Sequence, residues 1–245
     1  MTEPSNLRES LVEAAMRVAA RQGWRGASLA DVAAEAGVAL TSLRPVFQSK
    51  PQILAAFTRI IDDRVLNALK PEDMAAAPRD RLFDILMTRF ETLAPYKPAI
   101  QRILADERGD LGAAFAQAGP VAASQYWMLA AAGVPADGLG GAVRVKAMTA
   151  IYARVFRIWL DDSDPGMART MAALDRQLRR AEGWAKRADA ASGAAERFAA
   201  AMRSAMRSGR ASRSPTSAGQ PPVEPAPQAP PPPPSDAGGA PVVAS

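Results

Sequence analysis

The sequence predicts an all-α fold. Apolar residues recur every three or four positions through most of the first 185 residues, which is the period of a helix face. Ser, Asp and Pro residues stand where these stretches begin, and Gly or Pro residues stand where they end, as expected of capped helices joined by short turns. The 245 residues include no cysteine and no histidine, which excludes disulfides, thiolate or imidazole metal sites and the Ser-His-Asp triad. We therefore expect a helical binding protein with no catalytic residue, no metal and no cofactor, rather than an enzyme.

Four helices are predicted in the first 70 residues. The first is closed by Gly23, and the second starts in a capping box in which Ser28 pairs with Asp31, three residues on. Gly37 ends the second helix, because a glycine can take the left-handed conformation that closes a helix and starts a tight turn. A short third helix from about Leu40 then packs back onto the second, which is the arrangement of a helix-turn-helix.

Pro45 falls about six residues into the third helix. A proline in a helix interior removes a backbone donor and clashes with the preceding turn, at a cost of roughly 3 kcal/mol. The third helix is therefore predicted to be short or bent. After it, Ser49 is predicted to cap a longer helix over 51–70, opened by Pro51, that connects a first domain of residues 1–50 to the rest of the chain.

The amino-terminal segment, over about residues 6–60, resembles TetR-type transcriptional regulators. The resemblance rests on Gly23 after the first helix, the segment L-A-D-V-A-A-E-A-G-V from Leu29, Leu43 with Phe47, and Ser49-Lys50. The family usually carries a tyrosine where this chain has Arg44, followed by a helix former instead of Pro45. The resemblance implies a ligand-responsive regulator that binds operator DNA as a homodimer, paired through its last two core helices. The residues that we expect to contact DNA are Arg25, Ser28, Leu40, Thr41, Ser42, Arg44 and Lys50.

Five further helices are predicted in a ligand and dimerisation domain of residues 71–185. Pro78 starts the first of them, with Arg89 on its water-facing side. Asp164 is predicted to cap the last, with Pro165 at its first position. The helices between and after these are predicted at 99–106, 111–131 with an interruption at Gly119-Pro120, 142–160 and 167–184.

Aromatic and methionine side chains on these helices can line an interior site for a small apolar ligand. The same residue types at helical spacing are also typical of an ordinary core, and the sequence leaves both interpretations open. The residues that we assign to the predicted pocket are Phe90, Phe115, Tyr126, Trp127, Met148, Tyr152, Phe156 and Trp159.

A second resemblance covers about residues 80–183 and points to a different function. It rests on Leu93-Ala94-Pro95, Tyr152, the pattern R-x-W-L-x-D from Arg157, Thr170 and Leu174-Asp175-Arg176. These residues are similar to the lipid-binding accessory proteins of ubiquinone biosynthesis, which share the TetR-type fold but are not regarded as operator-binding regulators. The alternative function is therefore an accessory protein that binds an isoprenoid lipid and keeps a degenerate DNA-binding domain.

The net charge of +5 is unevenly distributed. Residues 1–50 hold six basic and five acidic residues, so they are poorly prepared for phosphate contacts unless their charges segregate by face. Residues 186–207 are predicted to form a basic amphipathic helix that can lie on an anionic membrane surface. Residues 208–245, rich in proline and alanine, are predicted to be disordered. The residues of the possible membrane contact are Arg197, Phe198, Met202, Arg203 and Met206.

The amino terminus has no apolar run behind a basic start, and no segment offers about 18 uninterrupted apolar residues. We therefore expect a soluble, cytoplasmic protein. Among the functions above, the sequence favours the DNA-binding regulator over the lipid-binding accessory protein.

Overall fold

The computed structural model describes residues 4–70, 75–108, 111–184 and 187. The chain divides into two units, Met1–Ala191 and Ser192–Ser245. The second unit lies outside the described residues. The predicted membrane-contact residues and the predicted disordered tail therefore lie outside the described part of the chain as well, and the description below concerns the first unit.

Four helices form the amino-terminal part of this unit: α1 (Pro4–Gln22), α2 (Leu29–Glu35), α3 (Leu40–Leu43) and α4 (Lys50–Ala68). The positions of all four agree with the sequence prediction, including the short third helix. The prediction that Ser49 caps α4 and that Pro51 is its first residue is wrong, because α4 begins at Lys50 and the Ser49 side chain makes no capping hydrogen bond. The inner face of α1 is completely buried at Leu11, Ala15 and Val18, which recur at the predicted helical spacing. Trp24, in the connection after α1, is 3% exposed and extends this core.

The rest of the unit is helical too. It contains α5 (Pro78–Leu93), one 3-10 turn (Ala94–Tyr96), α6 (Lys97–Asp106), α7 (Leu111–Ala131), α8 (Gly138–Leu160) and a last helix, α9, over 168–184. No strand occurs in the described ranges, and the prediction of an all-α fold is confirmed. None of the helices in those ranges is both long and apolar enough to cross a lipid bilayer.

Two predicted features of α7 and α8 are wrong. α7 is continuous from Leu111 to Ala131 with Pro120 inside it, rather than interrupted there. The helix packs against α4, α5 and α8, and such packing can stabilise a helix that lacks the backbone donor of one proline. α8 begins at Gly138 rather than near residue 142. At Gly141 a Cβ atom would lie 2.1 Å from the carbonyl of Ala136, so the start of α8 approaches the preceding loop too closely for any other residue.

The turn before α9 also differs from the prediction. The helix begins at 168, so Pro165 is not its first residue, and Met167 has a positive φ of 51°. Asp164 does bond to the helix start, because its Oδ2 accepts a hydrogen bond of 3.1 Å from the backbone N–H of Ala168. Asp162 accepts hydrogen bonds from both the backbone and the hydroxyl of Thr170, at 2.9 and 2.7 Å.

Packing between helices joins the amino-terminal helices to the others. α1 packs along α6, and α4 packs on α5 and α7. The predicted regions 1–50, 51–70 and 71–185 thus lie within one unit, and the helix-turn-helix is held on its inner side by α1.

Candidate nucleic-acid interface

α2 starts in the predicted capping box. The Ser28 hydroxyl accepts a hydrogen bond of 3.1 Å from the backbone N–H of Asp31, and the Asp31 carboxylate accepts one of 2.8 Å from the backbone N–H of Ser28. The hydrogen bonds from Ser28, side chain first, lower the pKa of Asp31 below its usual range. Two of the four backbone donors left open at a helix start are satisfied in this way, which fixes where α2 begins.

The turn after α2 is a Schellman motif centred on Gly37. The backbone N–H of Val38 bonds to the carbonyl of Ala33, and that of Gly37 bonds to the carbonyl of Ala34, both at 3.0 Å. Gly37 has a φ of +68°, a conformation that costs a residue with a Cβ. The predicted turn is therefore confirmed, and its geometry sets the direction in which α3 leaves α2.

α3 is four residues long, but helical bonding continues beyond it. Arg44 keeps helical backbone angles, φ −52° and ψ −42°, and the backbone N–H of Phe47 bonds to the carbonyl of Leu43 at 3.0 Å. Pro45 lacks the N–H that would have bonded to the carbonyl of Thr41, so the series of helical hydrogen bonds is interrupted at this position. Side chains from Leu40 to Phe47 consequently keep helical spacing although the helix proper ends early.

α2 is fixed on α1 by packing and ion pairs, and α3 packs on α2. Leu43 and Phe47 are each 1% exposed. Glu35, the last residue of α2, pairs with Arg17 and Arg21 of α1, each at 2.8 Å. These bonds lower the pKa of Glu35, and the one from Arg17 has the largest effect. The two helices are thereby held on one side, and the other side of α3 faces solvent.

Lys50 is engaged inside the protein. Its ammonium donates to the backbone carbonyls of Trp24 and Ala27, the latter at 2.9 Å, and lies 4.9 Å from the centre of the Trp24 ring. Burial lowers the pKa of Lys50. The predicted DNA contact is thus placed as an anchor for the loop between α1 and α2.

The same loop is bonded to the end of α6. The Asp106 carboxylate accepts hydrogen bonds from the backbone N–H groups of Trp24 and Arg25, at 2.6 and 3.0 Å. The Arg25 guanidinium donates to the backbone carbonyl of Asp106 at 2.5 Å. The hydrogen bonds from the backbone N–H groups lower the pKa of Asp106, and the one from Arg25 has the largest effect. Arg25, predicted to contact DNA, therefore joins the helix-turn-helix to α6.

The remaining predicted DNA contacts lie on or beside the outer face of α3. Leu40 is 51% exposed, Thr41 and Arg44 are exposed, and Ser42 is half-buried. Among the residues that the structure describes, no acceptor lies within bonding distance of the Arg44 guanidinium. An open groove of about 860 Å³ runs beside this face, lined from both helices and the following turn by residues that include Ala30, Leu40, Thr41, Arg44, Pro45 and Gln48.

The predicted ligand-pocket residues separate into two groups. Phe90, Tyr152, Phe156 and Trp159 pack ring against ring with centroids 5.3–5.7 Å apart, and Met148 is 3% exposed. Tyr126 and Trp127 lie apart from that cluster. Trp127 is 54% exposed, and Tyr126 lines a cavity of about 260 Å³ beside the loop before α8. The side chain of Phe115 lies outside the described part of the chain.

A buried polar network crosses the body next to the aromatic cluster. Arg89 is 4% exposed, and its guanidinium pairs with Asp62 and donates to the Tyr152 hydroxyl at 3.1 Å. The Ser124 hydroxyl donates to Asp62 at 2.8 Å. The prediction that Arg89 faces water is therefore wrong. Beside Ser124 on α7, Gln125 is completely buried, and neither atom of its amide group has a hydrogen-bond partner among the residues that the structure describes.

Sequence reasoning missed Asp62, Arg89 and Asp106. A signal existed for the first two, because each interrupts the apolar stripe of its helix, Asp62 directly after Ile61 and Arg89 directly before Phe90. Charged residues in such positions are rarely buried without a partner. Asp106 carried no comparable signal, since its partners lie more than 80 residues away in the sequence.

Residues 11–57 match the family model described as "Bacterial regulatory proteins, tetR family". These residues include the capping box, the Gly37 turn and α3. The amino-terminal domain is of the TetR type. The resemblance found in the sequence is confirmed for this segment. The matched residues extend from the middle of α1 to the first part of α4.

Relatives support the same assignment. The chain is 31% identical over 88 residues to the HTH-type transcriptional regulator PksA of Bacillus subtilis (strain 168), over 35% of this chain and 42% of that protein. It thus spans less than half the length of this curated relative. The fold resembles the solved structure of a TetR transcriptional regulator from Nitrosomonas europaea ATCC 19718, with a TM-score of 0.60, 22% identity and coverage of 71% and 97% of the two chains.

A second solved structure, a TetR transcriptional regulator from Rhodococcus sp. RHA1, matches with a TM-score of 0.49 and 21% identity over 72% of this chain and 97% of that one. At 22% identity the likeness to the Nitrosomonas protein concerns the fold alone, and it extends the TetR-like fold beyond the amino-terminal domain. The predicted relationship of the body to the accessory proteins of ubiquinone biosynthesis is not shown by the family match or by the curated relative, and it stays a prediction.

Proposed function

We propose that this protein is a ligand-responsive transcriptional regulator that binds operator DNA as a homodimer, and that it is not an enzyme. The observation that carries the proposal is the outer face of α3. Leu40, Thr41 and Arg44 are exposed there with helical spacing, on a helix whose direction is set by the Gly37 turn. A short, exposed second helix held by a capped first helix is the element that enters the major groove in helix-turn-helix proteins.

A binding measurement tests the proposal. Fluorescence anisotropy with a duplex from the region upstream of the protein's own coding sequence should show binding whose affinity falls steeply with added salt, since phosphate contacts release counterions. Arg44→Ala should weaken this binding by about 5- to 150-fold. The matched control is Arg102→Ala, which removes an exposed arginine of α6 and should change affinity less than about twofold. Flotation of the protein with anionic liposomes, without binding to any duplex, would instead establish the lipid-binding alternative.

Exposed apolar side chains on the last two helices support a homodimer. Leu139 and Val143 of α8 are 90% and 67% exposed, and Met171 and Trp184 of α9 are 43% and 71% exposed. Leu139 and Val143 lie one turn apart on one face of α8, and large apolar side chains exposed together in this way are typical of contacts between proteins. Two copies paired through these helices would present two α3 helices to half-sites about one helical turn apart.

Sedimentation of the purified chain tests this assembly. The wild type should sediment as a dimer, and Val143→Glu should produce monomers, because it places a charge in the proposed contact. Leu104→Glu makes the same kind of change on α6, where Leu104 is 39% exposed, and should remain dimeric. Equal dissociation of the two variants would argue against α8 as the contact helix.

The unpartnered Gln125 amide supports a ligand in the body. A buried amide without hydrogen bonds costs about 1–3 kcal/mol, which a ligand with a complementary polar group would recover. The aromatic residues of the body would contact the apolar part of such a molecule. The ligand would act by favouring a dimer in which the two α3 helices no longer match the operator spacing. Native mass spectrometry of the purified protein should detect a bound small molecule that Gln125→Leu loses.

A further inference from the structure

The three cations of residues 23–50 differ in what their side chains contact. Arg25 donates to the end of α6, and Lys50 donates to backbone carbonyls of the loop before α2. Arg44 has neither kind of bond among the described residues. It is therefore the cation of this segment whose five N–H donors are available to a ligand without first breaking a bond inside the protein.

Arg44 belongs to a row of exposed side chains. It lies four residues after Leu40, and the helical bonding between these two residues places both side chains on one face. The backbone N–H of Arg44 bonds to the carbonyl of Leu40 at 3.1 Å, which keeps the two side chains in register. Thr41 and Pro45, also four residues apart, form a second row beside the first.

The two rows combine the guanidinium of Arg44, which can donate two parallel hydrogen bonds, with the apolar side chains of Leu40 and Pro45. The guanidinium of an arginine matches the O6 and N7 acceptors of guanine in the major groove, and both bonds can form at once. Leu40 is 51% exposed, and the exposed ring of Pro45 lies next to Arg44 in the chain. Such apolar groups match the C5-methyl group of thymine, which is the apolar feature of the major groove.

We propose that Arg44 reads a guanine in each operator half-site and that Leu40 contacts the methyl group of a neighbouring thymine. This inference rests on the proposed DNA-binding function and adds the base chemistry that the site recognises. Pro45 has a defined part in it. Because the proline interrupts the helical hydrogen bonds directly after Arg44, the regular helix is short and α3 presents one small set of base-reading side chains.

Selection of duplexes by the full-length protein from a random library tests the proposal. The enriched half-sites should contain a fixed guanine with a thymine one or two base pairs away. Replacing that guanine by 7-deazaguanine removes the N7 acceptor and should weaken wild-type binding by about 5-fold or more. The same replacement should have no further effect on Arg44→Ala. Replacing the thymine by deoxyuridine removes its methyl group and should weaken the wild type but not Leu40→Ala.

The outcomes separate this inference from the function on which it rests. If the library yields no enriched sequence, DNA recognition itself fails, and the inference fails with it. If Arg44→Ala selects the same half-site, guanine included, and loses affinity equally for all sequences, Arg44 contacts phosphate and the base assignment is overturned. Arg102→Ala should select the wild-type half-site with unchanged affinity, and circular dichroism should show that each variant is folded.

Discussion

Two arginines, Arg89 in the body and Arg44 on α3, illustrate opposite uses of the same side chain. Arg89 is 4% exposed, and its guanidinium donates to Asp62 and Tyr152. Arg44 is exposed and has no partner in the described part of the chain. A buried guanidinium must have its partners inside the protein, because losing water is costly, whereas an exposed one keeps its donors for a ligand. Arg89 therefore stabilises the fold of the body, whereas Arg44 of the helix-turn-helix is available for recognition.

Removing one member of the buried pair should have the largest effect on stability. Asp62→Ala leaves the Arg89 charge buried without its carboxylate, and we expect the free energy of unfolding to fall by about 3–5 kcal/mol. Denaturant titration measures the loss. Asp175→Ala is the matched control, because its ion pairs with Arg179 and Arg79 are both partly exposed and each should contribute less than about 1 kcal/mol. A similar, small loss for both variants would remove the distinction between buried and exposed pairs.

The loop anchor should have an intermediate effect. Lys50→Met keeps the apolar stem but removes the donor to the carbonyls of Trp24 and Ala27, and we expect a loss of about 1.5 kcal/mol in denaturant titration. Lys146→Met, on the exposed side of α8, should change the free energy of unfolding by less than about 0.5 kcal/mol. If the two variants have equal stability, the Lys50 ammonium is not an anchor and is available for another contact.

The helix cap should have a smaller effect. Ser28→Ala removes the hydroxyl that accepts the Asp31 N–H, and we expect a loss of about 1 kcal/mol, measured as a lower Tm. Ser49 holds the equivalent position before α4 but makes no side-chain bond to its helix. Ser49→Ala should therefore have a Tm close to that of the wild type. If Ser49→Ala lowered the Tm more than Ser28→Ala, the hydrogen bond between Ser28 and Asp31 would not explain the contribution of the cap.

The smallest effect that we expect is the pH dependence of the contact at Asp106. Its pKa is depressed in the folded protein, so the contact stabilises the fold above the ordinary carboxyl pKa and is lost as pH falls through the depressed value. The difference in Tm between wild type and Asp106→Asn should accordingly be constant near neutral pH and shrink under acidic conditions. A difference that persists unchanged into strong acid would show that the charge of Asp106 is not involved.

The sequence predicted those parts of the fold that depend on neighbouring residues. The capping box at Ser28, the left-handed Gly37 and the shortening of α3 by Pro45 all follow from local backbone chemistry. The continuous α7 could not be predicted in this way, because packing against other helices outweighs the local effect of Pro120.

The candidate site was predictable in part for the same reason. Leu40, Thr41 and Arg44 lie close in sequence, and helical spacing suffices to group them. The engagement of Arg25 and Lys50 depends on groups from other segments, the end of α6 and the loop after α1. The sequence analysis placed Arg25, Arg44 and Lys50 on one surface because a sequence does not show which distant groups bond to Arg25 and Lys50.

The position of Asp106 gives α6 an unusual ending. The carboxyl end of a helix carries a partial negative charge, so an aspartate as its last residue is unfavourable there. The backbone N–H groups of Trp24 and Arg25 offset this unfavourable charge by donating to the Asp106 carboxylate. The Arg25 guanidinium also donates to the backbone carbonyl of Asp106 at the end of the helix. α6 is thus completed by a cap that lies 81 residues earlier in the chain. If α6 moved away from the loop, its last turn would lose these three bonds, so a movement of this helix end is coupled to the position of the helix-turn-helix.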